Sequence, residues 1–413
     1  DTYSDKFFYH IYPLGMCGCP RDNDFSSPRG YAFETLSGEL ERIRALGVNA
    51  LYIGPIFESS HHGYDTVDYY HVDRRLGNNE SFKDFVNNAH NMGFVVILDA
   101  VFNHTGRDFF AFRNLKEKKE SSLYKSWYEN IVFSRDSGYG DGFDYNGWAG
   151  CKDLVKLNLG TREVRDHLLG AVKYWIEEFH IDGLRLDAAD VLRKDFLDEL
   201  SSFSRSLKPD FWLMGEVVNG NYSDWVREGR LDSVTNYQIY KPLWSAINSD
   251  NLFELQYNLD REFGQYGIYR YSPLYNFLDN HDVNRLASTL KNARNKLHVA
   301  YGLLFAIPGI PSVYYGSEYA MRGVRHRDGD YELRPTVVPF GDTPEYARPS
   351  FDSSFLPGAI SSFAYLRRVS NALSKGDYQT VSVTNKTLVF ARTFYSERVL
   401  VICSIEEIES GVH

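Results

Sequence analysis

Eight short runs of branched and aromatic residues recur between residues 7 and 316, and their spacing is what most restricts how this chain can fold. They are F-F-Y-H-I-Y-P-L (7–14), V-N-A-L-Y-I-G-P-I (48–56), F-V-V-I-L-D-A-V (94–101), G-L-R-L-D-A (183–188), F-W-L-M-G-E-V-V (211–218), L-D-S-V-T-N-Y (231–237), L-Y-N-F-L-D-N-H (274–281) and G-I-P-S-V-Y-Y-G (309–316). Near-continuous apolar runs read as strands of a parallel sheet covered on both faces. Helical patterns separate several of them: Leu36, Leu40, Ile43 and Leu46 fall on one face, and Gly47 can end that helix. Eight such units predict an α/β fold, a closed (β/α)8 TIM barrel. The long gap after the third run, rich in Tyr, Trp, Gly and Asp, reads as an inserted subdomain. Beyond about residue 362 the pattern changes to T-L-V-F-A-R-T and R-V-L-V-I-C-S, successive antiparallel strands. The expected organisation is a barrel from residues 1–104 and 155–362, an inserted domain over 105–154, and a short or truncated C-terminal antiparallel β domain over 363–413.

Composition narrows the function. Of the 413 residues, 43% are hydrophobic and 24% charged, the proportions of an ordinary globular protein. No apolar run approaches the ~18 residues of a membrane span. The opening D-T-Y-S-D-K lacks a basic region followed by an apolar one, which leaves cytoplasmic and secreted locations both open. A net charge of -10 opposes nucleic-acid binding, which depends on clustered Lys and Arg, and suits a neutral substrate better. Cys17 and Cys19 form a C-x-C pair, but two ligands make no zinc site, so these and Cys151 and Cys403 read as unremarkable thiols. The 15% aromatic share suits both a core and the stacking of flat rings on a ligand.

In barrels of this type the reacting groups sit at the C-terminal ends of the strands. Asp99, Asn103 and His104 gather at the end of the third run, Arg185 and Asp187 at the fourth, Glu216 at the fifth, and His281 and Asp282 at the seventh. Arg185 and Asp187 share one strand face, and burying charge is costly unless it is paired or used. They can form an internal barrel salt bridge, or a nucleophile with its guanidinium support. Convergence of Asp187, Glu216 and Asp282 favours the second, because mutual repulsion raises the pKa of at least one. Retaining glycoside hydrolysis needs such a set: one ionised and one protonated carboxyl about 5–5.5 Å apart. Arg185 is expected to hold Asp187 ionised, leaving Glu216 free to carry the proton.

L-D-A-V-F-N-H (98–104), G-L-R-L-D-A-A-D (183–190), G-E-V-V (215–218) and F-L-D-N-H-D (277–282), in that order, resemble the four short conserved regions of the α-amylase family of glycoside hydrolases. The resemblance covers roughly residues 7–335. It implies a retaining double displacement with Asp187 as nucleophile, Glu216 as acid/base and Asp282 as the third carboxylate, and sugar contacts by His104, Arg185 and His281. G-Y-D-T-V-D-Y-Y (63–70) looks like the family's second-strand loop, where Tyr64 would stack on the sugar. Y-Y-G-S-E followed by D-G-D-Y-E-L-R-P looks like its eighth-strand loop, with Asp330 and Arg334 as a sugar-binding pair.

L-V-K-L-N (154–158), with W-A-G-C-K-D before it, is similar to the M-P-K-L-N signature of the neopullulanase, cyclomaltodextrinase and maltogenic amylase group, although Leu154 and Val155 replace Met-Pro. The resemblance thus implies hydrolysis of α-1,4 bonds in maltodextrins and starch-derived oligosaccharides, with cyclodextrins and pullulan as further substrates, and an α-glucan oligosaccharide as partner. A 4-α-glucanotransferase is the alternative. A non-catalytic glucan-binding relative would be expected to lack one of the three carboxylates. No carbohydrate-binding domain is read before the barrel, so a monomer is as compatible with the resemblance as that group's dimer. No cofactor is required by this chemistry, and calcium is left open. Asn103 matches a ligand position of calcium-dependent α-amylases, yet Asp190-Val191 stands where those carry Lys-His. Asp22, Asn23 and Asp24 offer oxygen ligands suited to Ca²⁺ or the makings of a solvated turn. Trp127, Tyr145 and Trp148 of the insert read equally well as groove lining or packing.

Overall fold

The structure, a computed structural model, describes residues 3–338 and 340–407. Each apolar run contains a barrel strand: β1 (Phe8–Ile11), β2 (Ala50–Ile53), β3 (Val95–Ala100), β4 (Gly183–Leu186), β5 (Trp212–Gly215), β6 (Ser233–Val234), β7 (Tyr275–Phe277) and β8 (Ile310–Tyr314). They form one sheet in the order β6-β5-β4-β3-β2-β1-β8-β7, every pair parallel. A parallel bridge between Thr235 and Tyr275, with Asn236 N donating to Tyr275 O at 2.9 Å, joins β6 to β7 and closes the ring.

The strands are shorter than the runs because each run continues into the loop that follows its strand. Within a strand, side chains alternate between two environments. Phe8, Tyr52, Ile97, Trp212, Met214 and Tyr275 pack together in the barrel interior. Tyr9, Leu51, Leu98, Leu184 and Leu213 belong to the larger core shared with the helices. The interior parity is what aims the polar residues: Asp99 follows Ile97, Arg185 and Asp187 follow Gly183, and Glu216 follows Trp212 and Met214, each in steps of two.

Helix Ala32–Ala45 buries Leu36, Leu40 and Ile43, and Gly47 takes φ +97 just beyond its end. The hairpin of Phe57–Ser59 and Thr66–Val72 lies after β2, and the loop between its strands carries Tyr64. Between β3 and β4 the chain forms a three-stranded antiparallel sheet of His104–Thr105, Cys151–Lys156 and Gly147–Trp148. Here two of the three aromatic candidates prove to be packing. Trp127 is buried among Phe109, Phe110, Tyr124 and His167, and Tyr145 is buried against Phe112 and Phe143. Trp148 is exposed, its ring 6.2 Å from that of His104.

Helix Leu356–Val369, which spans the point where the sequence pattern changes, leads through a short helix to an antiparallel sheet of β9 (Asp377–Val383), β10 (Thr387–Phe394) and β11 (Glu397–Ser404). Among the described residues no helix is long and apolar enough to cross a membrane.

Gly183 opens β4 against close neighbours on both flanking strands: a Cβ there would lie 2.2 Å from the Trp212 carbonyl oxygen and 2.8 Å from Ile97 Cδ1. Gly183→Ala is therefore expected to cost about 1–3 kcal/mol of stability through overpacking and to disturb Arg185 two residues on. Denaturant unfolding with an unchanged midpoint would show that β4 can yield there.

Candidate active site

At the mouth of the barrel one guanidinium meets three carboxyls. Arg185, 2% exposed, donates through Nη1 to Asp187 Oδ1 at 2.7 Å and to Asp99 Oδ1 at 3.0 Å, and through Nη2 to Glu216 Oε2 at 2.9 Å. Glu216 Oε1 accepts from the backbone N of Ala188 at 2.9 Å. Ala188 has φ +49, a left-handed turn placed directly after Asp187. Inward parity on the adjacent strand β5 brings Glu216 to the same guanidinium as Asp187, a contact that the sequence reading did not anticipate. Asp99 lies within β3 and is the residue whose part the sequence reading missed. Its carboxylate accepts from Arg185, from Tyr52 OH at 2.8 Å and from Tyr64 OH at 2.7 Å.

Electrostatics at this cluster are set by burial. Burial, then the charge of Glu216, raises the Asp187 carboxyl well above the ordinary range against the pull of Arg185. Burial also raises Glu216, with Arg185 opposing and Asp282 adding to the shift. Asp187 and Glu216 therefore titrate as a pair that retains a proton beyond the range of a free carboxyl. Asp99 is likewise raised by burial, while Arg185 and the two tyrosine hydroxyls favour its ionised form.

A second group adjoins the first. Tyr64 OH lies 2.7 Å from His281 Nε2, and the two rings stack with centroids 5.4 Å apart. Because the single Tyr64 proton goes to Asp99, His281 Nε2 carries the proton that Tyr64 accepts. The same nitrogen is 3.3 Å from Asp282 Oδ2. Arg334 donates from Nε to the His281 carbonyl at 3.1 Å and from Nη2 to Asp282 Oδ1 at 3.2 Å, with Asp330 Oδ2 at 3.5 Å. Burial lowers His281 well below the ordinary histidine range and His104 to about 3, so both are neutral imidazoles near neutral pH. A cavity of about 410 Å³ opens beside this group, lined in part by Tyr12, His62, Asp330, Tyr331 and Arg334.

The structure thus brings Asp187, Glu216, Asp282, Tyr64, Arg185, His281, Asp330 and Arg334 into one connected network. His104 joins its rim on the first strand of the insert. The residues present do not fit a calcium ion. Asn103 Oδ1 accepts from Lys156 Nζ at 2.7 Å. Asp24 Oδ1 accepts from the backbone of Ser26 and Ser27, and Asn23 bridges Phe25 N and Ser59 O, which makes 22–24 a capped turn. Among the described residues, no three His, Cys, Asp or Glu side chains group as a metal site.

Comparison with known proteins settles the family. The α-amylase catalytic-domain model matches residues 32–338. The chain belongs to the α-amylase family. It is 29% identical to a cyclomaltodextrinase of Geobacillus thermopakistaniensis, over 97% of this chain and 69% of that protein. It is 34% identical to neopullulanase 2 of Thermoactinomyces vulgaris, over 78% of this chain and 58% of that one. Its structure is similar to a cyclic α-maltosyl-(1→6)-maltose hydrolase from Arthrobacter globiformis, with TM-score 0.82 and 26% identity, covering 97% of this chain and 91% of that one. Several of the curated relatives are much longer, and the chain spans 51–60% of some of them. Family membership makes this mouth the natural place for glycoside chemistry. Beyond Asp99, sequence reading also passed over Tyr52 and Tyr12, whose only signal was their place at or next to strand ends.

A carboxyl raised above its unfolded-state value costs the fold stability once the pH exceeds both values and nothing below them. Asp187→Asn removes that cost, while Asp99 and Glu216 still balance Arg185. Its melting temperature is expected to exceed the parent's by a few degrees at pH 7, the difference closing as pH falls toward the range of a free carboxylate. A variant no more stable than the parent at pH 7 would contradict the upward shift.

Proposed function

We propose that the chain hydrolyses α-1,4-glucosidic bonds in maltodextrins and other starch-derived oligosaccharides, cyclodextrins and pullulan among them, with retention of configuration. The observation that carries this reading is the pair of carboxyls, Asp187 and Glu216, held on the two terminal nitrogens of one buried guanidinium. Such a grip favours the short separation of a retaining site over a pair spread apart by a water. The names of the relatives, a cyclomaltodextrinase and a neopullulanase, support the substrate class.

In this mechanism Asp187, ionised, attacks the anomeric carbon while Glu216 gives its proton to the departing glycosidic oxygen. The ester that forms has no charge on Asp187. The repulsion that kept a proton on Glu216 is then gone, so Glu216 becomes the base that takes a proton from water, and the hydroxide displaces Asp187. Asp282 and His281 stand side by side next to Tyr64 and are the residues read as contacts to the sugar. Tyr64, hydrogen-bonded to Asp99 and stacked on His281, is the ring on which the sugar would stack.

A timed product profile on maltoheptaose, β-cyclodextrin and pullulan tests this, with Asp187→Asn as blank. Short maltooligosaccharides are expected, with turnover lower by at least about a thousandfold in Asp187→Asn or Glu216→Gln. Products longer than the substrate would move the reading to a transferase, and no product would end it. The pH profile gives a separate check. Loss of the shared proton at high pH is expected to lower kcat/KM, and Glu216→Gln should lose that alkaline limb on a glucosyl fluoride, whose leaving group needs no acid.

A further inference from the structure

A larger cavity, of about 660 Å³, lies at the opposite end of the barrel from the carboxyl cluster. Ser4, Pro273 and Gly309, which line it, stand before β1, β7 and β8, where the chain enters the strands rather than leaves them. The rest of its wall comes from the C-terminal sheet and from the short helix Asn371–Lys375 that leads to it. Three cations line this space, Arg270, Lys375 and Arg392, against one carboxylate, Asp377. Arg270 donates from Nη2 to Asp377 Oδ2 at 3.2 Å, and its Nε is buried without a hydrogen-bond partner. Among the described residues, the exposed Lys375 ammonium meets no acceptor.

Arg392 is 1% exposed and forms no ion pair. It donates to the carbonyl oxygens of Ala306 at 2.6 Å, Gly376 at 2.9 Å and Asp377 at 3.2 Å, which leaves part of its fork of N–H donors unused. Arg367, also buried, lies near it and rests on carbonyls alone, those of Phe305, Ile307 and Gly309. Buried charge is costly unless it is paired. The end of helix Ala293–Ala306, which these two side chains cap, supplies only about half a negative charge. Burial lowers Arg392 to about 9, with the charge of Arg367 adding to the shift and Asp377 opposing it, and burial lowers Arg367 to about 10. Both therefore stay charged at neutral pH, and the cavity beside them is positive in a chain of net charge -10.

The aromatic residues of the wall are a separate observation. Tyr271 and Tyr395 line the cavity while 88% and 90% exposed. Tyr395 takes φ +51 at the first position of the two-residue turn between β10 and β11, where Phe394 pairs with Glu397. Gly, Asn or Asp normally fill such a position, and a bulky residue held there is strained. A ring kept exposed at that cost suits stacking on a ligand.

We propose that this cavity binds a phosphate group, free or carried on a sugar, with Arg270, Lys375 and Arg392 as its donors and Tyr271 and Tyr395 as the surface for an attached sugar ring. Guanidinium groups grip phosphate oxygens through paired N–H bonds, and a lysine adds a point charge. The ligand supplies the missing negative charge where the barrel meets the C-terminal sheet, because Arg392 already ties Ala306 to Gly376 there. The carboxyls of the barrel mouth take no part, so the site stands apart from the glucan reading.

Calorimetric titration of the full chain with inorganic phosphate, glucose 1-phosphate and glucose 6-phosphate, at fixed ionic strength, tests this. Saturable binding is expected, with a melting temperature that rises by a few degrees to a plateau. Lys375→Glu, at an exposed helix end, should weaken binding by at least about tenfold with an unchanged melting temperature in the absence of ligand. Arg270→Gln is expected to weaken it likewise. Tyr271→Ala distinguishes the two sources: a loss confined to the sugar phosphates assigns the site to them, and equal affinities throughout assign it to free phosphate. Absence of saturable binding would overturn the site. So would a melting temperature that climbs linearly with phosphate in parent and variants alike, as an excluded salt produces, or binding that Lys375→Glu and Arg270→Gln leave unchanged. None of these readings uses a glucan, so failure here and failure of the glucan assignment are told apart.

Discussion

The three carboxyls at the centre of this barrel's mouth depend on a single positive charge. Arg185 is surrounded by Asp99, Asp187 and Glu216, all buried. One guanidinium cannot neutralise three carboxylates, and two like charges about 4 Å apart repel by about 4 kcal/mol even at an effective dielectric of about 20. Asp99, with three donors, is the member best suited to stay ionised. The surplus falls on the other two, and a retained proton relieves it. On the proposed mechanism, acid and nucleophile arise from one shortage of positive charge, without a separate device for each.

The barrel was legible because both faces of a parallel strand are covered, which imposes long apolar runs that stand out from helical patterns. The polar residues at the strand ends were legible for the same reason: a charge in such a run has to be accounted for. Their partnerships were less so. Asp99 stands out in the sequence only as one of several polar residues at the end of the third run, and the pairing of β3 with β4 is what shows that it meets Arg185. Glu216 is 31 residues from Arg185, and its share of the guanidinium follows from strand order rather than any local signal. Trp127 and Tyr145 carry the composition of groove residues, but composition does not say which way a ring turns.

Ala188 belongs with what the sequence hides. A glycine at that position would have announced a left-handed turn, whereas an alanine there costs roughly 1–2 kcal/mol and gives no sign of it. The strain brings the Ala188 N–H onto Glu216 immediately after the chain has placed Asp187. The chain next to Asp187 therefore holds Glu216 through a backbone donor that no substitution of Asp187 removes.

The pairing of His104 with Lys156 also shapes how such an enzyme can change. The insert leaves the barrel and returns to it through one antiparallel pair, clamped at its base by Asn103. Residues between those two points can be lengthened, shortened or replaced without altering where β3 and β4 deliver their side chains. If the proposed function holds, selection can in this way recut the walls of the groove for new glucan shapes while inheriting the carboxyls at the barrel mouth untouched.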